Sequence, residues 1–188
     1  MEKYSGLPEN NEQKVDSSKS FPKGFSYYIA GFTDGEGSFS VSFRILKKLT
    51  LGIECVPSFA IGQKNGKKNV QLLEKIRDYL SCGSVRYSKG DNCYKYEIRS
   101  LSLIREKILP FFEKYPLLGE KATDFTIFCE ICSLMAAQQH RNKKGLIRIL
   151  KLAAKMNNAS PKRKARLLDL QALLEKNDKE QIISTFPE

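Results

Sequence analysis

From Phe25 onward the apolar positions follow first one rhythm and then another. Phe25, Tyr28, Ile29 and Phe32 recur at i, i+3, i+4 and i+7, the period of a helix with one apolar face. Gly35-Glu36-Gly37 ends that rhythm, and its two glycines are expected to supply a C-terminal cap. The period then becomes two. Phe39, Val41, Phe43 and Ile45 alternate with Ser38, Ser40, Ser42 and Arg44, a half-buried strand with a polar outer face. A second strand is read over about 51–62, with Ile53, Cys55, Phe59 and Ile61 inward; Pro57 in its middle predicts a bulge or an edge position. Asn69 opens a helix with the stripe Val70, Leu73, Ile76, Leu80. A hairpin follows over 84–88 and 93–100, around the turn Lys89-Gly90-Asp91-Asn92. Helices are read over 101–112, over about 121–139 and over about 161–176. The order αββαββα with extra C-terminal helices defines an α+β fold.

Residues 1–24 are polar, with Pro8, Asn10, Asn11, Ser17, Ser18 and Pro22, and read as a flexible leader. Residues 25–140 form the expected core. Residues 141–188 form a basic helical segment that packs on the same domain or extends it.

At 188 residues, 41% hydrophobic and 28% charged, the chain has an ordinary globular balance. No apolar run approaches the ~20 residues of a membrane span. The N-terminus lacks a basic-then-apolar signal, so an intracellular site is expected, in a prokaryotic cytoplasm or an organelle. Five irregularly spaced cysteines and a single histidine, His140, leave little material for a zinc site. The cysteines read as buried thiols in a reducing compartment.

Charge changes the picture more. The net charge is +11, and between Ile131 and Leu168 there is no acidic residue. That stretch carries ten basic residues: Arg141, Lys143, Lys144, Arg148, Lys151, Lys155, Lys162, Arg163, Lys164 and Arg166. The remainder holds 22 basic against 21 acidic residues, the 32 and 21 of the whole chain less these ten. A basic block confined to one segment points to a polyanionic partner, with a merely solvated surface as the plain alternative.

Ile29-Ala30-Gly31-Phe32-Thr33-Asp34-Gly35-Glu36-Gly37 resembles the LAGLIDADG motif of the homing endonucleases. The αββαββ order after it and the phrase Tyr115-Pro116-Leu117-Leu118-Gly119-Glu120-Lys121 ahead of a helix resemble that family too, so the likeness covers roughly 25–139. With one copy of the motif, the chain is similar to the members that act as homodimers. The resemblance implies a site-specific DNA endonuclease that needs Mg2+ (or Mn2+), makes a double-strand break at a long, partly palindromic target and promotes intron mobility. It implies neither a membrane nor a small-molecule cofactor. On the same scaffold, an RNA-binding intron maturase and a non-catalytic DNA-binding regulator are the alternatives.

The motif's own chemistry agrees. Tyr27, Gly31 and Gly35 are spaced by four, and two glycines on one helical face let another helix approach closely. That helix could belong to a symmetry-related copy or to the same chain. Glu36 sits at a helix C-terminus, where free carbonyls and the negative dipole end repel a carboxylate, and two such ends in a dimer repel further. A hard divalent cation relieves both, since carboxylate and carbonyl oxygens are its ligands. The alternative is an exposed loop acid beside glycines.

By resemblance, Glu36 is the metal-binding acid, the Gly35 carbonyl its accessory ligand, and Asp34 a residue that caps or orients the helix end. The family more often carries Asp at the eighth position. Resemblance also nominates Gln63 to position water and Lys121 as the basic catalytic residue, with Lys114 as the alternative and Lys67 as a second basic contributor. DNA reading falls to the outward set Ser38, Ser40, Ser42, Arg44, Glu54, Ser58, Arg86, Ser88, Lys95, Glu97 and Arg99, whose mixed donors and acceptors suit base edges. Arg44 and Arg86 are candidates for guanine. Lys47, Lys48, Lys64, Lys67 and Lys68, with Arg141, Lys143, Lys144, Lys162, Arg163 and Lys164, are expected to hold phosphates.

Overall fold

In the computed structural model, which describes residues 21–157 and 160–176, helix α1 (Phe25–Glu36) runs straight into strand β1 (Gly37–Ile45). The helix stops where the glycines predict, but by a different device. Gly35 stays helical, and Gly37 is extended (φ −79°, ψ 165°) rather than left-handed, its N–H donating to the Thr33 carbonyl. A Cβ on Gly37 would lie 2.5 Å from Thr33 Cγ2 and 2.7 Å from the Thr33 oxygen. Glycine is needed there for close approach.

β2 (Ile53–Lys64) follows, then α2 (Lys67–Leu80), which starts two residues before the expected Asn69. The hairpin strands are β3 (Ser84–Ser88) and β4 (Cys93–Ile98). The four strands form one antiparallel sheet in the order β1-β2-β4-β3. Register across β1 and β2 is unbroken through the pair Val41–Pro57, and β4 joins β2 only from Phe59 onward. Pro57 therefore lies where β2 has a single neighbour. Of bulge and edge, the structure selects edge.

The helices cover the inner face. α3 (Leu101–Leu103), a π turn (Ile104–Ile108) and α4 (Leu109–Lys114) form one helical stretch. Pro110 has no N–H for a regular ladder, and the widened turn just before it absorbs the interruption. Next come α5 (Lys121–Ala136), α6 (Lys143–Ala153) and α7 (Pro161–Glu175). The core is aromatic: the Phe39 ring lies 5.1 Å from Phe59, 5.5 Å from Phe112 and 5.4 Å from Phe128. The cysteines are free, and burial pushes the thiols of Cys55 and Cys132 up to about 12.

Two elements depart from the expectations. α6 is not among the elements read from the sequence, although Leu146, Ile149, Leu150 and Ala153 are buried at i, i+3, i+4 and i+7; the basic residues between them mask the stripe. Most of the expected leader, residues 1–20, lies outside the described residues. Its end is already packed, since Phe21 stacks on Phe25 at 5.9 Å and meets Tyr79 edge-on at 4.9 Å.

The C-terminal helices do more than extend the domain. Asn157 Nδ2 donates to the Phe39 carbonyl (2.6 Å) and Arg163 Nη2 to the Val41 carbonyl (3.2 Å). These carbonyls are two residues apart on β1 and so point the same way, along the edge that no strand among the described residues pairs. Asp124 of α5 accepts the Asn157 N–H at 2.8 Å, which fixes this corner to the core. Two side chains thus cover an otherwise open sheet edge.

Candidate active site and nucleic-acid interface

Glu36 is exposed at the end of α1 and has no hydrogen-bond or ion-pair partner among the described residues, despite the chain's +11 charge. It lines an open cleft of about 370 Å³ with Gly62, Gln63, Lys64, Asn69 and Cys93. Glu36 and Gln63 are thus brought together as expected. Asn69 and Cys93 also line this cleft, a role that no local pattern signals. Asn69 Nδ2 donates to the Lys64 carbonyl (3.0 Å), bridging the turn between β2 and α2.

Lys121 does not line the cleft. It is half-buried in the first turn of α5, and Asp34 links that region to α1. The Asp34 carboxylate accepts the N–H of Leu118 at 2.8 Å and of Gly119 at 3.3 Å. Asp34 therefore orients the loop leading to Lys121 through contacts 84 and 85 residues away along the chain. Both Glu36 and Lys121 stand at the helix end that the backbone dipole disfavours for their charge. Residues placed against a local rule are candidates for function. Lys114, the alternative to Lys121, lies over the Tyr115 ring at 5.5 Å, and Lys67, the second basic candidate, is exposed in the first turn of α2.

Next to the cleft, α1 presents an open face. Tyr27 is 59% exposed with its ring edge-on to Tyr115, and a Cβ at Gly31 or Gly35 would meet nothing within 4 Å. Among the described residues no helix of the same chain covers these glycines, so the intramolecular alternative finds no support here. Leu118, 91% exposed, belongs to the loop that Asp34 holds against this helix.

The outward set lies on one face. Register places Ser38, Ser40, Ser42 and Arg44 of β1 opposite Ala60, Ser58, Val56 and Glu54 of β2. Ala60 and Gly62 in turn face Glu97 and Lys95 of β4, which face Ser84 and Arg86 of β3; Ser88 faces Cys93. Arg99 follows β4 directly. Side chains bond within this face: Ser40 Oγ to Ser58 Oγ (2.8 Å), Arg44 to Glu54, Lys95 to Asp91, and Arg86 and Arg99 to Glu97. Lys47 and Lys48 are exposed in the β1–β2 turn, Lys64 at the end of β2, and Lys68 beside Lys67 at the start of α2.

The basic segment divides in two. Arg141, Lys144, Lys162 and Lys164 are exposed. Lys143 is half-buried and donates to the Glu175 carbonyl (2.7 Å), at the negative end of α7. Arg163, expected to hold phosphate, is turned inward to Val41; burial lowers its pKa, and the nearby Asp124 opposes that shift. A cation whose guanidinium covers a sheet edge is a structural residue first.

A profile described as LAGLIDADG endonuclease matches residues 29–132, more than half of the chain, and the chain belongs to that family. "Probable intron-encoded endonuclease 3" of Neurospora crassa is 31% identical over 120 residues, 64% of this chain and 22% of that relative. The crystal structure of the homing endonuclease I-TnaI matches with a TM-score of 0.70 and 36% identity, covering 77% of this chain and 95% of that one. I-SmaMI, bound to an uncleaved DNA target in the presence of calcium ions, matches with a TM-score of 0.69 and 33% identity, over 76% of this chain and 48% of its own. The chain spans about a quarter of the length of the first curated relatives it matches. No helix among the described residues is long and apolar enough to cross a membrane.

Proposed function

We propose that this chain is the DNA-cutting unit of a homing endonuclease, hydrolysing phosphodiesters of double-stranded DNA as a homodimer and so promoting intron mobility. The observation that carries this reading is Glu36, a carboxylate at a helix end beside Gln63 that has no partner among the described residues and adjoins a face of glycines that none of them covers. Two copies related by a two-fold axis through that face would bring two Glu36 carboxylates together, one for each strand. An intracellular site, in a prokaryotic cytoplasm or an organelle, follows from such a substrate.

The residues fit a hard divalent ion such as Mg2+ or Mn2+. Gly37 takes the Thr33 carbonyl, which leaves the Asp34, Gly35 and Glu36 carbonyls beyond the helical ladder and beside a free carboxylate. Among the described residues no group of three or more His, Cys, Asp or Glu could hold an ion within one chain. The remaining ligands would come from the second copy and from the phosphates. When bound, the cation supplies Lewis-acid polarisation of the phosphate and a more acidic water. Glu36 and the Gly35 carbonyl would hold it, Gln63 would orient the attacking water, and Lys121, from the first turn of α5, would offset the charge that builds on the phosphate. The serines and arginines of the outer sheet face meet base edges, while Lys47, Lys48, Lys64, Lys67, Lys68, Arg141, Lys144, Lys162 and Lys164 meet phosphates.

The test is Glu36→Gln, which keeps shape and hydrogen bonding but removes the anionic oxygen. DNA binding by gel shift persists, and cleavage in magnesium falls at least about 10²-fold. Cutting at the original rate contradicts the assignment, and loss of binding together with cutting makes Glu36 structural.

A further inference from the structure

On the outer sheet face one carboxylate is treated unlike the rest. Glu97 stands between Ala60 of β2 and Ser84 of β3, two small neighbours that leave room above it. Its side chain is only 12% exposed, and each oxygen takes a guanidinium: Oε2 pairs with Arg86 Nη2, and Oε1 with Arg99 Nε at 3.0 Å. The two arginine side chains stand 55% and 57% exposed above it. Glu54, by contrast, is 34% exposed and pairs with Arg44 alone. Sunk in the sheet beneath two guanidiniums, Glu97 is poorly placed to accept from a cytosine amino group, the direct contact its place in the outward set implied.

A sunken acid on a surface that meets DNA opposes the phosphates, so its presence calls for a compensating role. Holding Arg99 by Nε leaves both Nη groups free as a parallel pair, the fork that matches guanine O6 and N7. Holding Arg86 by Nη2 leaves Nη1 and Nε free and removes much of that side chain's rotamer freedom.

We infer that Glu97 is a positioning residue that presets Arg86 and Arg99 as the guanine-reading pair of each half-site. This rests on the DNA-binding reading above and adds the base class to it. Arg86 lies across from Lys95, two residues before Glu97, and Arg99 two residues after it. Their backbones are thus about 13 Å apart along the strands, so the two guanines fall within about four base pairs of one another.

The experiment uses the whole protein with calcium in place of magnesium and a pool of random duplexes long enough for both half-sites, sequencing the bound fraction. The unmutated protein enriches a motif with two guanines within about four base pairs in each half-site. Arg99→Lys keeps the charge and the salt dependence but weakens the preference at one of those guanines at least about 10-fold. Glu97→Gln binds unselected DNA as well as before or better, while the preference at both guanines falls. An enriched motif without such a guanine pair overturns the inference and leaves the DNA reading standing. So does retention of both preferences in Arg99→Lys and Arg86→Lys, or an equal loss of affinity on all sequences in Glu97→Gln. A protein that binds no DNA at all overturns the underlying reading and the inference with it.

Discussion

α1 and α7 both attach to β1, and their outward faces could hardly differ more. α1 buries Phe25, Ser26, Ile29, Ala30 and Thr33 and passes into β1 through Gly37. α7 buries Leu167, Leu170, Leu173 and Leu174 and reaches the free edge of β1 through Arg163. What each leaves outside is glycine and tyrosine in the first case, and Lys162, Lys164 and Arg166 in the second. Both helices are anchored by burial. What they offer a partner is set by the residues that burial does not constrain: a face of small residues suits another helix backbone, and a cationic face suits a polyanion.

The largest effect that would break this comparison comes from Gly31→Leu. None of the described residues lies within 4 Å of a Cβ there, so the isolated chain should fold with its thermal midpoint nearly unchanged. If the face pairs two copies, the added side chain separates them, and cleavage falls at least about 10²-fold as sedimentation shifts to the single chain. A variant that still sediments as a pair and still cuts shows that α1 faces solvent in the working protein.

Arg163→Met is the intermediate case. It keeps the apolar stem but removes the donor to the Val41 carbonyl. Orphaning that group should lower stability by about 1–3 kcal/mol in denaturant titration. Unchanged stability, with weaker DNA binding, would return Arg163 to the phosphate-binding set.

The smallest effect is that of Lys162→Ala with Lys164→Ala, which leaves stability alone. Binding to target and random DNA should weaken about equally. The slope of log affinity against log salt should drop by roughly 0.9 for each phosphate that is no longer neutralised. A deficit confined to the target would mean that α7 reads bases.

How much of the molecule is legible in the sequence depends on the range of each interaction. The inward set Phe39, Val41, Phe43, Ile45 is legible because alternation is a local pattern, and a one-residue slip would reverse every side chain. The stop of α1 is legible too, although close contact with Thr33, rather than a left-handed cap, is what requires Gly37. Glu36 and Gln63 are found by resemblance, and the cleft they share is a product of tertiary structure. Asp34 is expected to cap or orient the helix end; what its carboxylate holds is a loop 84 residues away, which no local spacing reveals. The contact that Arg163 makes is hidden for the same reason. In sequence it is one cation in a row of three; in space its neighbour is a strand edge 122 residues back.

In a pair of copies, one carboxylate per copy is expected to cut one strand. Mixed dimers test it most directly: unmutated and Glu36→Gln chains, carrying different affinity tags, are purified through both tags in turn. They are then incubated in magnesium with supercoiled plasmid bearing a duplex the protein has selected. Nicked circles should accumulate with little linear product, because only one of the two strands meets an intact Glu36. Linear DNA forming at the rate of the unmutated pair would contradict it.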